Sequence, residues 1–201
     1  MKNSWKNKIL KNAILAYENN EVEKAIHFLK ILANESVSTA CRLLGLIYSV
    51  QSDTIYDEKY WNTRFITSLK KEAQGGDIDA LFKLANLYQH GDLVTQNEKK
   101  AQCFFLKAAT NGHTIAQFHL AMLYKHGFCS LPINDNAYQY WLKIAADNAH
   151  PEAMYYHGLE LIRQKRYSEA EVFIYHANQK GFWLAEDYIN KFLTPSQIIP
   201  H

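Results

Sequence analysis

Ala80-Leu-Phe-Lys-Leu84-Ala85-Asn-Leu-Tyr88-Gln-His90-Gly91 returns further along the chain as Ala116-Gln-Phe-His-Leu120-Ala121-Met-Leu-Tyr124-Lys-His126-Gly127, a shift of 36 residues from Tyr88 to Tyr124. A second phrase follows each glycine: Ala101-Gln-Cys-Phe104-Phe105-Leu-Lys107-Ala-Ala109, then Ala137-Tyr-Gln-Tyr140-Trp141-Leu-Lys143-Ile-Ala145, again shifted by 36. Self-similarity at this period is the signature of a stacked-repeat architecture. The alanine, leucine, small residue and tyrosine of the first phrase stand at offsets 0, +4, +5 and +8. At 3.6 residues per turn these positions share one helix face, which must be buried. The small residue (Gly45, Ala85, Ala121, Gly158) admits close approach of a partner helix, and the tyrosine (Tyr48, Tyr88, Tyr124) supplies a large apolar body with a polar tip.

Fainter copies flank these two. Ala40 to Tyr48 opens one whose loop, Gln51 to Tyr60, is longer, with Asp57 read as the cap of the helix that follows; the run Ser52 to Trp61 mixes acids with aromatics and reads either as that loop or as a second contact surface. Ala153 to Leu161 opens another with a short loop around Gln164-Lys165-Arg166, and Lys8 to Ala33 matches that short form. Ala185 to Leu193 begins a sixth first helix that stops at Thr194-Pro195, where proline cannot continue it. Gly75-Gly76, Asn111-Gly112 and Lys180-Gly181 fall where helices end with positive φ, whereas Asp147-Asn148-Ala149 replaces the glycine. The expected fold is all-α: a right-handed α-solenoid of about five antiparallel helix pairs plus a C-terminal capping helix. The expected organisation is one domain over 1–201, with repeats near 8–35, 40–76, 80–112, 116–149 and 153–181, a cap at 185–193 and a tail at 194–201. One pair buries too little to stand alone, so neighbour contact makes such a fold.

Composition narrows the function. Apolar residues make up 48% of the chain, ample for a core. The formal charge of +2 supplies no field for steering onto nucleic acid or anionic lipid, so neither partner is expected. The basic start is followed by an apolar stretch broken at Lys11 and Asn12, so no secretory signal is read there, and no segment approaches the roughly 20 apolar residues of a membrane span. Cys41, Cys103 and Cys129 form no CxxC pair, which favours a reducing cytoplasm; Cys103 is read as core and Cys129 as a loop thiol. In that compartment the sequon Asn34-Glu35-Ser36 carries no meaning.

The quoted phrases resemble the Sel-1-like repeat family, a relative of the tetratricopeptide repeats with a pattern near A-x-x-x-L-G-x-x-Y-x-x-G followed by K-A-x-x-W-Y-x-K-A-A-x-x-G. Ala80 to Gly112 and Ala116 to Ala149 match it well, and coverage runs from about Lys8 to Leu193. The resemblance implies an α-solenoid used for protein binding, with no conserved active site. Some cysteine-rich members pair a cysteine beside the opening alanine with one at the end of the preceding helix. Cys41 occupies the first place, but Ile31-Leu32-Ala33 offers no mate, so that secreted branch and its suggested β-lactam binding are disfavoured.

In the related tetratricopeptide architecture the groove is lined by first-helix positions the core does not use, here offsets +2, +6, +9 and +10. Offset +2 gives Leu10, Arg42, Phe82, Phe118 and Tyr155, and +6 gives Ile14, Leu46, Asn86, Met122 and Leu159. Offset +9 gives Tyr17, Ser49, Gln89, Lys125 and Ile162, and +10 gives Glu18, Val50, His90, His126 and Arg163. The expected partner-binding residues are Arg42, Leu46, Phe82, Asn86, His90, Phe118, Met122, Lys125, His126, Tyr155, Leu159 and Arg163. An apolar stripe with a basic far edge suits a partner segment bearing apolar knobs and acidic residues. The alternative is that the helix phase is off by one position, or that curvature closes these side chains into core.

His90 and His126 share a slot in adjacent repeats, about 10 Å apart by helix packing distance, with no matching carboxylate or cysteine between them, so no metal or cofactor is expected. His113 and His150 follow inter-repeat turns and are read as local packing; His157 stands in the core leucine slot and is read as a buried, hydrogen-bonded imidazole. No GxSxG, HExxH, Walker-type loop or GxGxxG occurs. The expected role is that of an adaptor or scaffold with no catalysis, its partner another protein and its own state a monomer. The alternatives are an immunity protein that neutralises a bacterial toxin, an enzyme of the cell-wall or β-lactam hydrolase kind, and a passive spacer.

Overall fold

The computed structural model describes residues 4–50, 55–129 and 131–192, and these are helical with no strand among them. Eleven helices follow in order: α1 Ser4–Glu18, α2 Val22–Asn34, α3 Ser38–Val50, α4 Ile55–Gln74, α5 Ile78–His90, α6 Glu98–Thr110, α7 Thr114–His126, α8 Asp135–Asp147, α9 Pro151–Arg163, α10 Tyr167–Gln179 and α11 Trp183–Phe192. Their number and order match the helix succession that the period predicts. Gln51 to Thr54 of the long insertion and the stop at Thr194-Pro195 lie outside the described residues. Asp57 proves to lie inside the first turn of α4 rather than at its cap, because the helix already begins at Ile55.

The chain packs as two compact units, one of Met1–Leu87 with Gly91–Thr95 and one of Tyr88–His90 with Gln96–His201. In the first, α1 packs on α2, α2 on α3 and α3 on α4; in the second, contact likewise runs from α6 through α11 between helices adjacent in sequence. Such nearest-neighbour packing is what helix pairs too thin to stand alone require.

The turns share one geometry. After α6, Gly112 at φ 91 lets its N–H reach the Ala109 carbonyl while the His113 N–H reaches that of Ala108, the paired bonds of a Schellman cap. After α8 the same bonds run from Ala149 to Ala146 and from His150 to Ala145, with Ala149 held at φ 63. The missing glycine therefore leaves the turn intact at the cost of a left-handed alanine.

The residue after the turn caps the next helix at α5, α7 and α9. Asp77 accepts the Ala80 N–H at 2.9 Å, and His113 and His150 accept those of Ala116 and Ala153 through Nδ1 at 3.1 and 3.3 Å. The two histidines are thus N-caps, a role beyond the local packing the sequence suggested, and one that requires an unprotonated Nδ1. In the first unit α3 is capped from outside: the Glu72 carboxylate on α4 accepts from the Ser38 backbone N–H at 2.8 Å and from its hydroxyl at 2.5 Å. A carboxylate there also satisfies the positive end of the helix dipole.

Core formation follows the repeat offsets. Ala40, Ala80, Ala116 and Ala153 are buried, as are Leu44, Leu84, Leu120 and the small +5 residues. In α2, α6, α8 and α10 only the later member of the bulky pair reaches the core: Leu29, Phe105, Trp141 and Ile174 are buried, whereas Phe104 is half-buried against Tyr88 and Tyr140 is exposed. Cys103 is exposed, against the core reading, whereas Cys129 lies in a loop as read and is buried there. Phe105 takes the inward face of α6, and Cys129 tucks into the α7–α8 loop at φ 54.

Gln117 is buried and joins three elements. Its amide nitrogen donates to the Ala109 carbonyl at the end of α6 at 3.0 Å, and its oxygen accepts from Asn148 Nδ2, just past α8, at 2.9 Å.

Three substitutions test the packing. Ala149→Gly removes the left-handed strain but adds unfolded-state entropy, and urea titration is expected to show a net gain of about 0.5–1 kcal/mol. Gly158→Ala places a Cβ 2.6 Å from Ile174 Cγ1 and 3.2 Å from the Ala170 carbonyl, so it should lose about 1–3 kcal/mol by overpacking. At Gly45 the obstruction is the movable end of the Asn62 side chain, so Gly45→Ala should stay within about 1 kcal/mol of the parent.

Stability also depends on pH. Burial holds the imidazoles of His119, His150 and His157 below their ordinary value, aided by His90 at His119 and by Lys143 at His157. Between the folded values and the unfolded value of about 6.5 the unfolded chain binds more protons, so stability is complete above that pH and declines as pH falls through the window. His150→Asn keeps a capping acceptor and should flatten this decline when unfolding is compared between about pH 7.5 and 5.

Candidate partner-binding surface

In the first unit, α1 and α3 present two parallel ridges spaced at three and four residues. Ile14, Tyr17 and Glu18 form one; Leu43, Leu46, Ile47 and Val50 form the other; between them lies a groove of about 320 Å³ floored by Ala13 and Leu29. Its upper walls are apolar and open to solvent: Ile14 is 44% exposed, Tyr17 48%, Leu46 45% and Val50 75%. Ser49 and Glu18 supply the polar side chains of the lining. Offsets +6, +9 and +10 pick out these rim residues, including Leu46.

Arg42, at +2, turns away from the groove, since its Nη1 donates to Asn62 Oδ1 at 3.3 Å and its guanidinium lies 5.9 Å from the Phe65 ring. Phe82 and Asn86 are half-buried on α5, where Asn86 Nδ2 donates to the Phe82 carbonyl at 3.0 Å.

The second unit gathers its predicted residues differently. Phe118 is half-buried, with its ring stacked 4.6 Å from the capping His150 and 6.2 Å from Tyr156. Tyr155 packs against Tyr156, Phe182 and Tyr188. An aromatic belt thus runs over α7, α9 and α11, and Met122 and Leu159 are half-buried on the first two of these helices.

The basic edge is largely engaged within the protein. Lys125 Nζ donates to Tyr138 Oη at 3.4 Å and sits 4.9 and 5.5 Å from the Tyr138 and Tyr156 ring centres. Arg163 Nε donates to Glu160 at 2.8 Å. Burial raises the Tyr138 phenol well above its usual value, and Glu160, hydrogen-bonded to it, adds to the effect. His90 and His126 are exposed, the latter 5.7 Å from the Phe128 ring.

Sequence reasoning missed Tyr138, Tyr156 and Glu160. Tyr156 and Glu160 stand at +3 and +7 in α9, between the offsets assigned to the groove, so only their bulk and charge could have marked them.

His157 is half-buried rather than enclosed, its ring edge-on to Phe173 at 4.8 Å. It lines a polar cleft of about 530 Å³ together with Gln139, Lys143, Glu160 and Arg166. The leucines in the equivalent slot seal the core, so an imidazole there opens the surface. Among the described residues no group of three or more His, Cys, Asp or Glu side chains could hold a metal ion, and no helix is long and apolar enough to cross a membrane.

The comparisons agree with this geometry. No curated protein matches the chain. Among solved structures, a Sel1 repeat protein from Oxalobacter formigenes aligns with 25% identity and a TM-score of 0.60, over 64% of this chain and 99% of that one. A protective antigen present in uropathogenic Escherichia coli strains, displaying an SLR fold, aligns with 16% identity and a TM-score of 0.63 over 92% of this chain. The chain spans only 41% of that antigen's length, and the likeness is one of fold. The Sel1 repeat model matches residues 78–113 and 114–150, so the chain carries two Sel1 repeats there, in an all-helical fold like those of these two proteins.

Proposed function

We propose that this chain is a protein-interaction module that holds a partner against the faces of its first helices and carries out no chemistry of its own. The observation that carries this reading is the groove between α1 and α3, where four large apolar side chains stand open to water around an apolar floor. Leaving that much contiguous apolar surface wet is unfavourable unless a partner covers it. Proteins built of Sel1 repeats generally serve as interaction scaffolds, and repeat arrays offer extended faces for that use. The second unit carries its own aromatic surface, in which the Phe118 and Tyr155 rings are held in place by His150, Tyr156 and Phe182. Preorganised aromatic anchors bind with little loss of side-chain entropy. Neutralisation of a toxin is a narrower role that would use the same surface.

Leu46→Asp, on an exposed rim, should change stability by about 0.5 kcal/mol or less. Leu44→Ala, two residues away and fully buried, should cost about 2–5 kcal/mol. Phe118→Ala should fall between them, at about 1–2 kcal/mol, because its ring is half-buried against His150. Co-purification from the host cell with tagged parent and Leu46→Asp chains is the functional measurement. A stoichiometric partner kept by the parent and lost by the variant is expected; a homogeneous preparation that turns over a substrate would contradict the reading.

A further inference from the structure

The groove of the first unit differs electrically from the other first-helix ends. α5 closes with His90 in its last turn, α7 with Lys125 and His126, and α9 with Arg163. These bases stand at the negative ends of their helix dipoles, where cations are stabilising. α1 and α3 carry no base in their last turns. α1 instead ends on Glu18, an exposed carboxylate placed on the negative pole of its own helix and without an ion-pair partner among the described residues. Two helix C-termini without a base in their own last turns, and one carboxylate, therefore border an apolar groove that has no cation in its lining.

We infer that this groove is the docking site for an amphipathic helix of a partner protein, one that lays an aliphatic stripe between α1 and α3 and sets a lysine or arginine beside Glu18. This rests on the reading of the chain as a protein-binding module and gives that partner its chemistry. The shape favours a helix. The ridges Ile14, Tyr17, Glu18 and Leu43, Leu46, Ile47, Val50 repeat at three and four residues, the spacing into which an incoming helix sets its own i, i+3, i+4 and i+7 side chains. A volume of about 320 Å³ lies at the small end of ligand sites, so it takes a few aliphatic side chains from a single segment. The charge favours a base. A cation at the groove mouth would neutralise Glu18 and complement both helix ends, whereas an acidic residue would face three sources of negative potential at once. This sign is opposite to the acidic partner expected from Lys125 and Arg163, whose charges are already engaged by Tyr138 and Glu160.

The test uses the full chain as bait for a phage-displayed library of helix-forming 16-residue peptides, followed by fluorescence polarisation with the enriched peptides. Enriched sequences are expected to share aliphatic residues three and four apart and a Lys or Arg near one end. Leu46→Asp should weaken them by about tenfold or more, as loss of a buried interface anchor does. Glu18→Lys should weaken them by about threefold, with binding restored when the peptide's base is changed to Glu, as for a partly exposed charge pair. Enriched peptides that are acidic, that bind Leu46→Asp as well as the parent, or that fail to appear would each overturn the inference. Peptides lost on Phe118→Ala but kept by Leu46→Asp would place recognition in the second unit, so the chain would remain a binder while this docking site fell. Circular dichroism of Leu46→Asp separates lost binding from lost folding. Sedimentation of the unliganded chain covers self-association: a parent dimer that Leu46→Asp converts to monomer would make a second copy the occupant and overturn the helix.

Discussion

The constraint on which the rest depends is the left-handed residue at the end of nearly every helix. Asn20, Ser36, Gly76, Gly112, Ala149, Lys165 and Gly181 all sit at positive φ, and each lets the chain close off one helix and start the next within a few residues. A helix that ended otherwise would leave several carbonyls unsatisfied and point its successor elsewhere. Because the turn geometry recurs, successive helices arrive in similar relation to their neighbours, and the same offsets can be buried each time. Only some of these positions are glycine. The others hold the same conformation against a steric cost, so the packing of the helices on either side fixes the turn as much as the turn fixes the packing.

Much of this was legible in the sequence. A shift of 36 residues with an unchanged set of apolar offsets specifies helices, their pairing and their inward faces, and the five pairs and terminal helix follow. Boundaries were less legible, since the opening alanine lies two residues inside each first helix and the caps before it are chemically mixed: Asp77 is an obvious cap, whereas His113 and His150 look like packing residues until their Nδ1 atoms are placed. The exposure of Cys103 and the burial of Cys129 were illegible for a related reason. One apolar residue between two others on a helix can face either way, and a cysteine in a loop is buried or not according to how that loop folds back.

The groove offsets behaved unevenly for a physical reason. In α1 and α3 the +6, +9 and +10 side chains lie around an open apolar channel. In α7 and α9 the +2, +9 and +10 slots hold residues with partners nearby: Phe118 meets His150, Lys125 meets Tyr138, and Arg163 meets Glu160. Offset along a helix determines direction, but whether a side chain stays free depends on the bulk and charge of the residues beside it, on its own helix and on neighbouring ones. Tyr138 reaches the lysine from the following helix, and Glu160 reaches the arginine from one turn away.

Gln117 carries a mechanical implication. One side chain is clamped at both ends, by the last turn of the helix before it and by the amide just past the helix after it, in a place where the equivalent slot of α5 holds Leu81. Leucine permits small sliding of one layer over another, because dispersion contacts re-form at many registers. A doubly bonded buried amide tolerates no such slip, since a displacement of about an ångström would strand polar atoms away from water. The second unit is therefore stiffened against slip where α6, α7 and α8 meet.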